Sequence, residues 1–256
     1  MIVEFAGPAG SGKTTFAHAL YEQLRAHGHP ARIVLTDRRV VHRSMLDPGG
    51  IVTAMCRVAR AAARSIGMAC RPSANAVDFR IRANLVHTLP PRNVIWRIRL
   101  SQYVLRLARA WRQSAASEEI LIFDEAFVQA VSMLACFSGT ADETCLAHAL
   151  DFIPESDVVV RIDACEQLLI ERLDRRQKSH TFAERLFETG LDKRLQSATV
   201  VARVCGLLTA RGRSIIDVDA NNQRALTLAI DEIEEEILAR YKRSLHSSAY
   251  PPIPLD

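Results

Sequence analysis

The chain opens Met1-Ile2-Val3-Glu4-Phe5-Ala6-Gly7-Pro8-Ala9-Gly10-Ser11-Gly12-Lys13-Thr14-Thr15. Met1 to Ala6 is a short, mostly apolar run that halts at Gly7, the pattern of a buried strand. From Thr14 to Ala26 the apolar residues Phe16, Ala17, Leu20 and Leu24 recur at helical spacing, and Gly28 with Pro30 closes the helix. At the joint between them, Gly7 to Thr14 fits G-x-x-x-x-G-K-S/T. Glycines in such a loop let successive backbone N–H groups curl toward phosphate oxygens. The start of the helix adds its partial positive charge to the same anion. Lys13 is placed to reach β- and γ-phosphates and the Thr14 hydroxyl to hold Mg²⁺. The loop therefore predicts binding of a nucleoside triphosphate with magnesium. Gly7, Pro8, Ala9, Gly10, Ser11, Gly12, Lys13, Thr14 and Thr15 are the expected nucleotide contacts.

Working outward, Ala31–Leu35, Ile120–Phe123, Val158–Ile162 and Ile215–Val218 read as further strands, each followed by a helical stretch. Strands alternating with helices predict an α/β fold, a parallel five-stranded sheet with helices on both faces. The segment from about Ser44 to Ser117 lacks strand character. It reads as three helices, Ile51–Met68, Ala74–Leu89 and Arg92–Ala115, separated by Pro72 and by Pro90-Pro91. In the third, Trp96, Leu100, Tyr103, Val104, Leu107 and Trp111 make one apolar stripe, with Arg97, Arg99, Arg106, Arg109 and Arg112 outside it. The expected organisation is one P-loop domain over residues 1–256, with a helical insertion at about 44–117. The proline-bearing tail after Leu245 reads as loose.

With 256 residues, 48% of them hydrophobic and 24% charged, the composition is that of an ordinary globular protein. No apolar run approaches the roughly 18 residues of a membrane helix, and the first ten residues do not form a secretory signal. The six cysteines (56, 70, 136, 145, 165 and 205) form no C-x-x-C pair or zinc spacing, which fits reduced thiols in the cytoplasm. The net charge of +4 is unevenly spread: Pro48 to Ser117 holds twelve arginines and one acid, Asp78. Lysines number only four, at 13, 178, 193 and 242.

Ile120 to Phe123 runs into Asp124-Glu125. A hydrophobic strand ending in Asp supplies a carboxylate to the magnesium shell, so Thr14 and Asp124 are the metal candidates. Glu125 suits polarising water, orienting an acceptor or holding an arginine. The loop begins at residue 7, and no L-S-G-G-Q-like signature or N-K-x-D base-reading motif appears, which favours a kinase over a motor, transporter or G protein. After the fourth strand, Glu166 to Arg176 reads as a helix ending in arginines, with Arg172 and Arg176 at i, i+4 on one face. Gln177 to Thr181 reads as a flexible polar connection.

Together, G-P-A-G-S-G-K-T-T, Asp124-Glu125 and R-L-x-x-R resemble the P-loop kinases of the nucleoside monophosphate kinase type, the thymidylate-kinase-like group most nearly. The resemblance covers Met1–Asp37, Ile120–Gln129 and about Ser156–Asn222, roughly half of the chain. It implies that the segment around 172–190 is a lid closing over the phosphates. Arg172 and Arg176 would then serve catalysis and Arg175 would touch the nucleotide. It also implies that the segment after the second strand carries the acceptor site. Asp124-Glu125 departs from the Asp-Arg of thymidylate kinases, whose Arg touches the acceptor phosphate, and so argues against thymidylate.

Asp37 follows the second strand, at the sheet edge where ligands bind in open α/β folds. It is the candidate base for an acceptor hydroxyl; the same place also suits a helix N-cap. Arg38, Arg39 and Arg43 could pair with an anionic acceptor. The first reading is thus an ATP- and Mg²⁺-dependent phosphotransferase acting on a small-molecule or nucleotide acceptor, anionic or hydroxyl-bearing. The pattern is also compatible with a homodimer. The second reading is an ATPase switch whose arginine-rich helices bind nucleic acid or anionic lipid.

Overall fold

The computed structural model describes residues 1–34, 76–139, 142–178, 191–220 and 223–248. Asp37, Arg38, Arg39, Arg43, the expected helix Ile51–Met68 and the chain after residue 248 lie outside them. Strand β1 (Ile2–Ala6), buried at every residue, pairs in parallel with β3 (Ile120–Phe123) and β4 (Val158–Asp163). Strand β2 (Ala31–Val34) lies beyond β3, and β5 (Ile215–Asp219) beyond β4. The order β2-β3-β1-β4-β5 is the expected five-stranded parallel sheet. Val3 is in register with Ile122 on one side and Val158 on the other.

The helices of the described residues are α1 (Lys13–Ala26), α2 (Ala76–Thr88), α3 (Val94–Ser114), α4 (Phe127–Ser138), α5 (Glu143–Leu150), α6 (Glu166–Lys178), α7 (Leu191–Ala210) and α8 (Gln223–Ser248). Strand residues alternate between two apolar layers, as the period of two requires. Val3, Phe5, Ile122, Val160 and Ile162 join Phe16, Leu20 and Leu24 of α1 and Ile230, Ile233 and Ile237 of α8. Ile2, Ala6, Leu121, Phe123 and Val159 join α2 to α5 and α7. A parallel sheet covered on both faces has no solvent side, so β3 reads as an unbroken apolar run and β1 and β4 as nearly continuous ones, interrupted by Glu4 and by Arg161.

Helix α3 follows its stripe. Leu100, Tyr103, Val104, Leu107 and Trp111 are buried, and Trp96 stacks on Phe137 with ring centroids 4.1 Å apart. Asn93 caps it, its Oδ1 accepting from Ile95 N at 2.8 Å. The outward arginines include Arg112, which forks onto buried Asp78 of α2 through Nε (3.1 Å) and Nη2 (3.0 Å). Helix α6 runs on to Lys178, so Gln177 and Lys178, read from sequence as connection, are helical. No Gly or Pro interrupts it, and Arg, Gln and Lys are good helix formers.

Candidate active site

The chain runs from β1 to β2 on one side and returns through β3 before crossing to β4. The direction of winding thus reverses at β1, and the carboxyl ends of β1 and β3 are where ligands bind in open sheets of this kind. The Gly7–Thr14 loop occupies that edge. It leaves β1 in tight quarters: a Cβ on Gly7 would lie 2.5 Å from the carbonyl oxygen of Ile162 and 2.8 Å from Ser11 Oγ. Gly12, the N-cap of α1, has φ 100°, a conformation that side-chain-bearing residues rarely adopt. Helix α1 carries no acid of its own in the first turn. The hydroxyl of Ser11 is buried without a hydrogen-bond partner, leaving the loop a donor to spare.

Lys13 is only 6% exposed. Its ammonium donates to the carbonyls of Gly7 (2.8 Å) and Pro8 (3.0 Å) and lies 3.7 Å from Glu125 Oε1. Thr14 Oγ1 donates to Asp124 Oδ2 at 3.4 Å. The sheet thus brings the pair Lys13-Thr14 together with the pair Asp124-Glu125, 110 residues further along the chain. Hydroxyl and carboxylate oxygens are the donors a small hard cation takes, so Thr14 and Asp124 fit Mg²⁺. Curled backbone, a helix start and a buried ammonium likewise fit a nucleotide polyphosphate.

Three further contacts frame this site, and the first two had no signal in the sequence. The Gly7 N–H donates to Gln129 Oε1 at 3.3 Å, from the first turn of α4. Glu4 of β1 accepts from the Val128 N–H, capping α4 where Ala126 offers no side-chain cap. Burial pushes the Glu4 carboxyl up to about 7, against the opposing pull of the Val128 N–H and of Arg213 and Ser156. The third is the seating of Arg172. Its Nη1 donates to the carbonyls of Gly10 (3.4 Å) and Ser11 (3.2 Å), and its Nη2 to that of Ala220 (3.2 Å), just beyond β5. Arg172 thereby ties α6 to both the loop and the β5 end. Arg175 and Arg176 continue α6, but their side chains lie outside the described structure.

The packing behind Asp124-Glu125 is aromatic. Trp111 meets Phe123 (centroids 5.0 Å apart) and, edge-on, Phe127 (5.3 Å), which bracket the turn on either side. A separate cleft of about 450 Å³ at the ends of β4 and β5 is lined by Arg161, Asp163, Cys165, Asp217 and Asp219. It includes none of Lys13, Thr14 and Asp124, and Arg161 spans it in an ion pair with Asp217 (2.6 Å). Cys205, buried beneath the sheet, has its thiol pushed up to about 12 by burial, which makes it a packing residue. Cys136, Cys145, Cys165 and Cys205 are all free thiols.

Fold and loop together define a P-loop α/β architecture, a parallel five-stranded sheet with helices on both faces. No family model matches the sequence, and no curated protein matches it either. Among solved structures, the chain is similar to the deoxyadenosine kinase from M. mycoides with products dCMP and a flexible dCDP bound. The identity is 14%, the coverage 93% of this chain and 100% of that one, and the TM-score 0.52. The same enzyme with dCTP bound aligns at 13% identity over 92% of this chain and 100% of that one, with a TM-score of 0.48. The likeness is one of fold: this chain carries the architecture of a P-loop nucleoside kinase. Among the described residues no helix is long and apolar enough to cross a membrane.

Proposed function

We propose that this protein is an ATP- and Mg²⁺-dependent phosphotransferase that moves a γ-phosphoryl group to a small acceptor. The observation that carries the reading is the convergence of Lys13, Thr14, Asp124 and Glu125 on the loop at the sheet's carboxyl edge. Bound ATP with its metal supplies the phosphoryl group and neutralises part of its charge. The chain's own residues do the rest by binding and orienting. Loop N–H groups and Lys13 hold the terminal phosphates, while Thr14 and Asp124 hold the cation. Gln129 keeps the loop entrance fixed through the Gly7 N–H.

Asp37 enters this reading as the carboxylate that aligns the acceptor hydroxyl, with Arg38, Arg39 and Arg43 as acceptor contacts. Arg172 is assigned the work its bonds describe, bracing the loop against the β5 end. Neutralising charge in the transition state then falls to Arg175 or Arg176, further along the same helix. The fold shared with a deoxyadenosine kinase supports this class of chemistry.

The test is ATP consumption with mass-spectrometric product detection across nucleosides, nucleotides, sugars and amino-alcohols. A phosphorylated product formed stoichiometrically with ADP is expected. ADP release without any such product, and only in the presence of a nucleic acid or anionic vesicle, would replace this reading with an ATPase switch.

A further inference from the structure

Helix α4 is fastened to β1 and to the phosphate loop by two buried bonds of opposite sense. The Glu4 carboxyl accepts from the Val128 N–H, and the Gly7 N–H donates to Gln129 Oε1 at 3.3 Å. Their ends are adjacent on the first turn of α4 and three residues apart along β1 and the loop. Glu4 is 1% exposed and Gln129 5%, so water does not stand in for either bond. Together they fix how far α4 slides or turns against β1. The Asp124-Glu125 turn leaves β3 at Phe123, in register with Glu4, and enters this same turn of α4. Glu4 thus anchors the piece of helix on which both halves of the site lean. Its carboxyl stands in a mixed field. The start of α4 has no side-chain cap of its own, and its N–H groups favour a carboxylate. Arg213 favours it as well, and so does the Ser156 hydroxyl that donates to it. Burial opposes them and prevails, bringing the titration to about 7. The sheet neighbours of Glu4, Phe123 and Val159, are apolar. On α7 the Cys205 thiol stays neutral, and Arg161 and Asp217 beyond it pair with one another at 2.6 Å.

Resting on the nucleotide-binding part of the phosphotransferase reading, we infer that Glu4 is a positioning residue for the phosphate loop. Braced through Val128 and Gln129, the loop grips ATP most tightly while Glu4 is protonated, and ATP binding takes up a proton there. Three residues of extended chain, about 10 Å, separate Glu4 from the loop entrance. An ionised carboxyl at that distance in a poorly hydrated interior opposes a polyphosphate. In drawing water to itself it also loosens the helix turn that carries Gln129. Linkage is reciprocal, so ATP favours the proton by the same factor as the proton favours ATP.

The experiment is titration calorimetry of Mg²⁺-ATP into the full-length protein between about pH 6 and pH 8.5, in buffers of unequal ionisation heat, beside steady-state kinetics. Wild type should bind ATP about 5- to 10-fold more weakly at the upper end than at the lower. Near neutral pH it should take up about half a proton per ATP bound. Glu4→Gln keeps an acceptor for the Val128 N–H. It should bind ATP at high pH as tightly as wild type does at low pH, with that proton uptake gone. KM for ATP should follow Kd in both proteins, while kcat at saturating ATP stays the same. Gln129→Leu cuts the loop from the helix turn and should weaken ATP binding about 10-fold at every pH. Identical pH profiles and proton uptake in wild type and folded Glu4→Gln would overturn the inference and leave the kinase reading standing. Unchanged ATP affinity in folded Gln129→Leu would do so too. Failure of every protein to bind ATP would overturn both, whereas the expected linkage without any phosphorylated product would support the inference and overturn the kinase reading alone.

Discussion

Lys13 is the residue on which the site turns. An ammonium only 6% exposed is tolerable because two carbonyls and a carboxylate surround it. Lys13→Ala should lower turnover by about 1000-fold, since it removes a charge aimed at the developing phosphoryl charge, while far-UV circular dichroism stays unchanged. Near-normal turnover in the folded variant would remove the loop from the mechanism. Asp124→Asn should weaken Mg²⁺-dependent catalysis more than metal-free ADP binding, because the loop N–H groups hold ADP without the cation. Titration calorimetry with and without Mg²⁺ separates the two. Arg172→Ala should raise the Kd for ATP by about 10- to 100-fold and change kcat little, for a bond from a guanidinium to a carbonyl contributes about 1.5–3 kcal/mol to holding the loop. Lysine should rescue poorly, because one ammonium cannot reach both the loop and Ala220. At this scale the sequence was most legible where the chemistry is local: Gly7 to Thr14 is a contiguous phosphate loop. It was silent on Gln129 and Glu4, whose roles arise only when β1 lies beside the first turn of α4.

At the scale of the element, α4 is the least readable from sequence and the most central in space. Eleven of its twelve residues are buried, Gln129, Ser132 and Ser138 among them, so no wet face marks where its apolar side ends. Helix α3, half wet, was legible for the opposite reason. The cap that Glu4 gives α4 has a pH signature. Its carboxyl titrates near 7 in the folded protein against an ordinary value of 4.5, so the native state binds this proton more tightly than the unfolded chain. The contribution therefore favours folding most below about pH 4.5 and is lost as pH rises toward 7, a change of about 3 kcal/mol. Glu4→Gln keeps an acceptor for the Val128 N–H and removes that dependence. Urea unfolding should show the variant gaining on the wild type by about 2–3 kcal/mol between pH 5 and pH 8. An unchanged difference would mean that Glu4 is not held neutral by its surroundings.

For the whole molecule, the order β2-β3-β1-β4-β5 puts the loop, the Asp124-Glu125 turn and the α6 brace on one edge of a sheet buried on both sides. Strand runs and their alternation with helices were enough to predict that sheet, because parallel strands covered on both faces are apolar along most of their length. Strand order was not legible: nothing local says that β3 rather than β2 lies beside β1. A ligand held only by the folded arrangement adds to its stability. ATP with Mg²⁺ at 100 times its Kd should contribute about 2.7 kcal/mol, raising Tm by roughly 5–10 °C. In Asp124→Asn the part of the shift that needs Mg²⁺ should vanish; a full shift there would place the cation elsewhere.

The chain has two tryptophans, and they are not equivalent. Trp96 lies between the Phe137 ring and the Arg99 guanidinium, at the far end of α3 from the loop-bearing turn. Trp111 lies against Phe123 and Phe127, which bracket Asp124-Glu125-Ala126. The protein thus contains its own optical probe, one indole lodged behind the acidic turn and a second that can be removed. In Trp96→Phe all tryptophan emission would come from Trp111. Its intensity, followed in a stopped-flow instrument, would give the rate at which the turn responds to nucleotide, with no label attached.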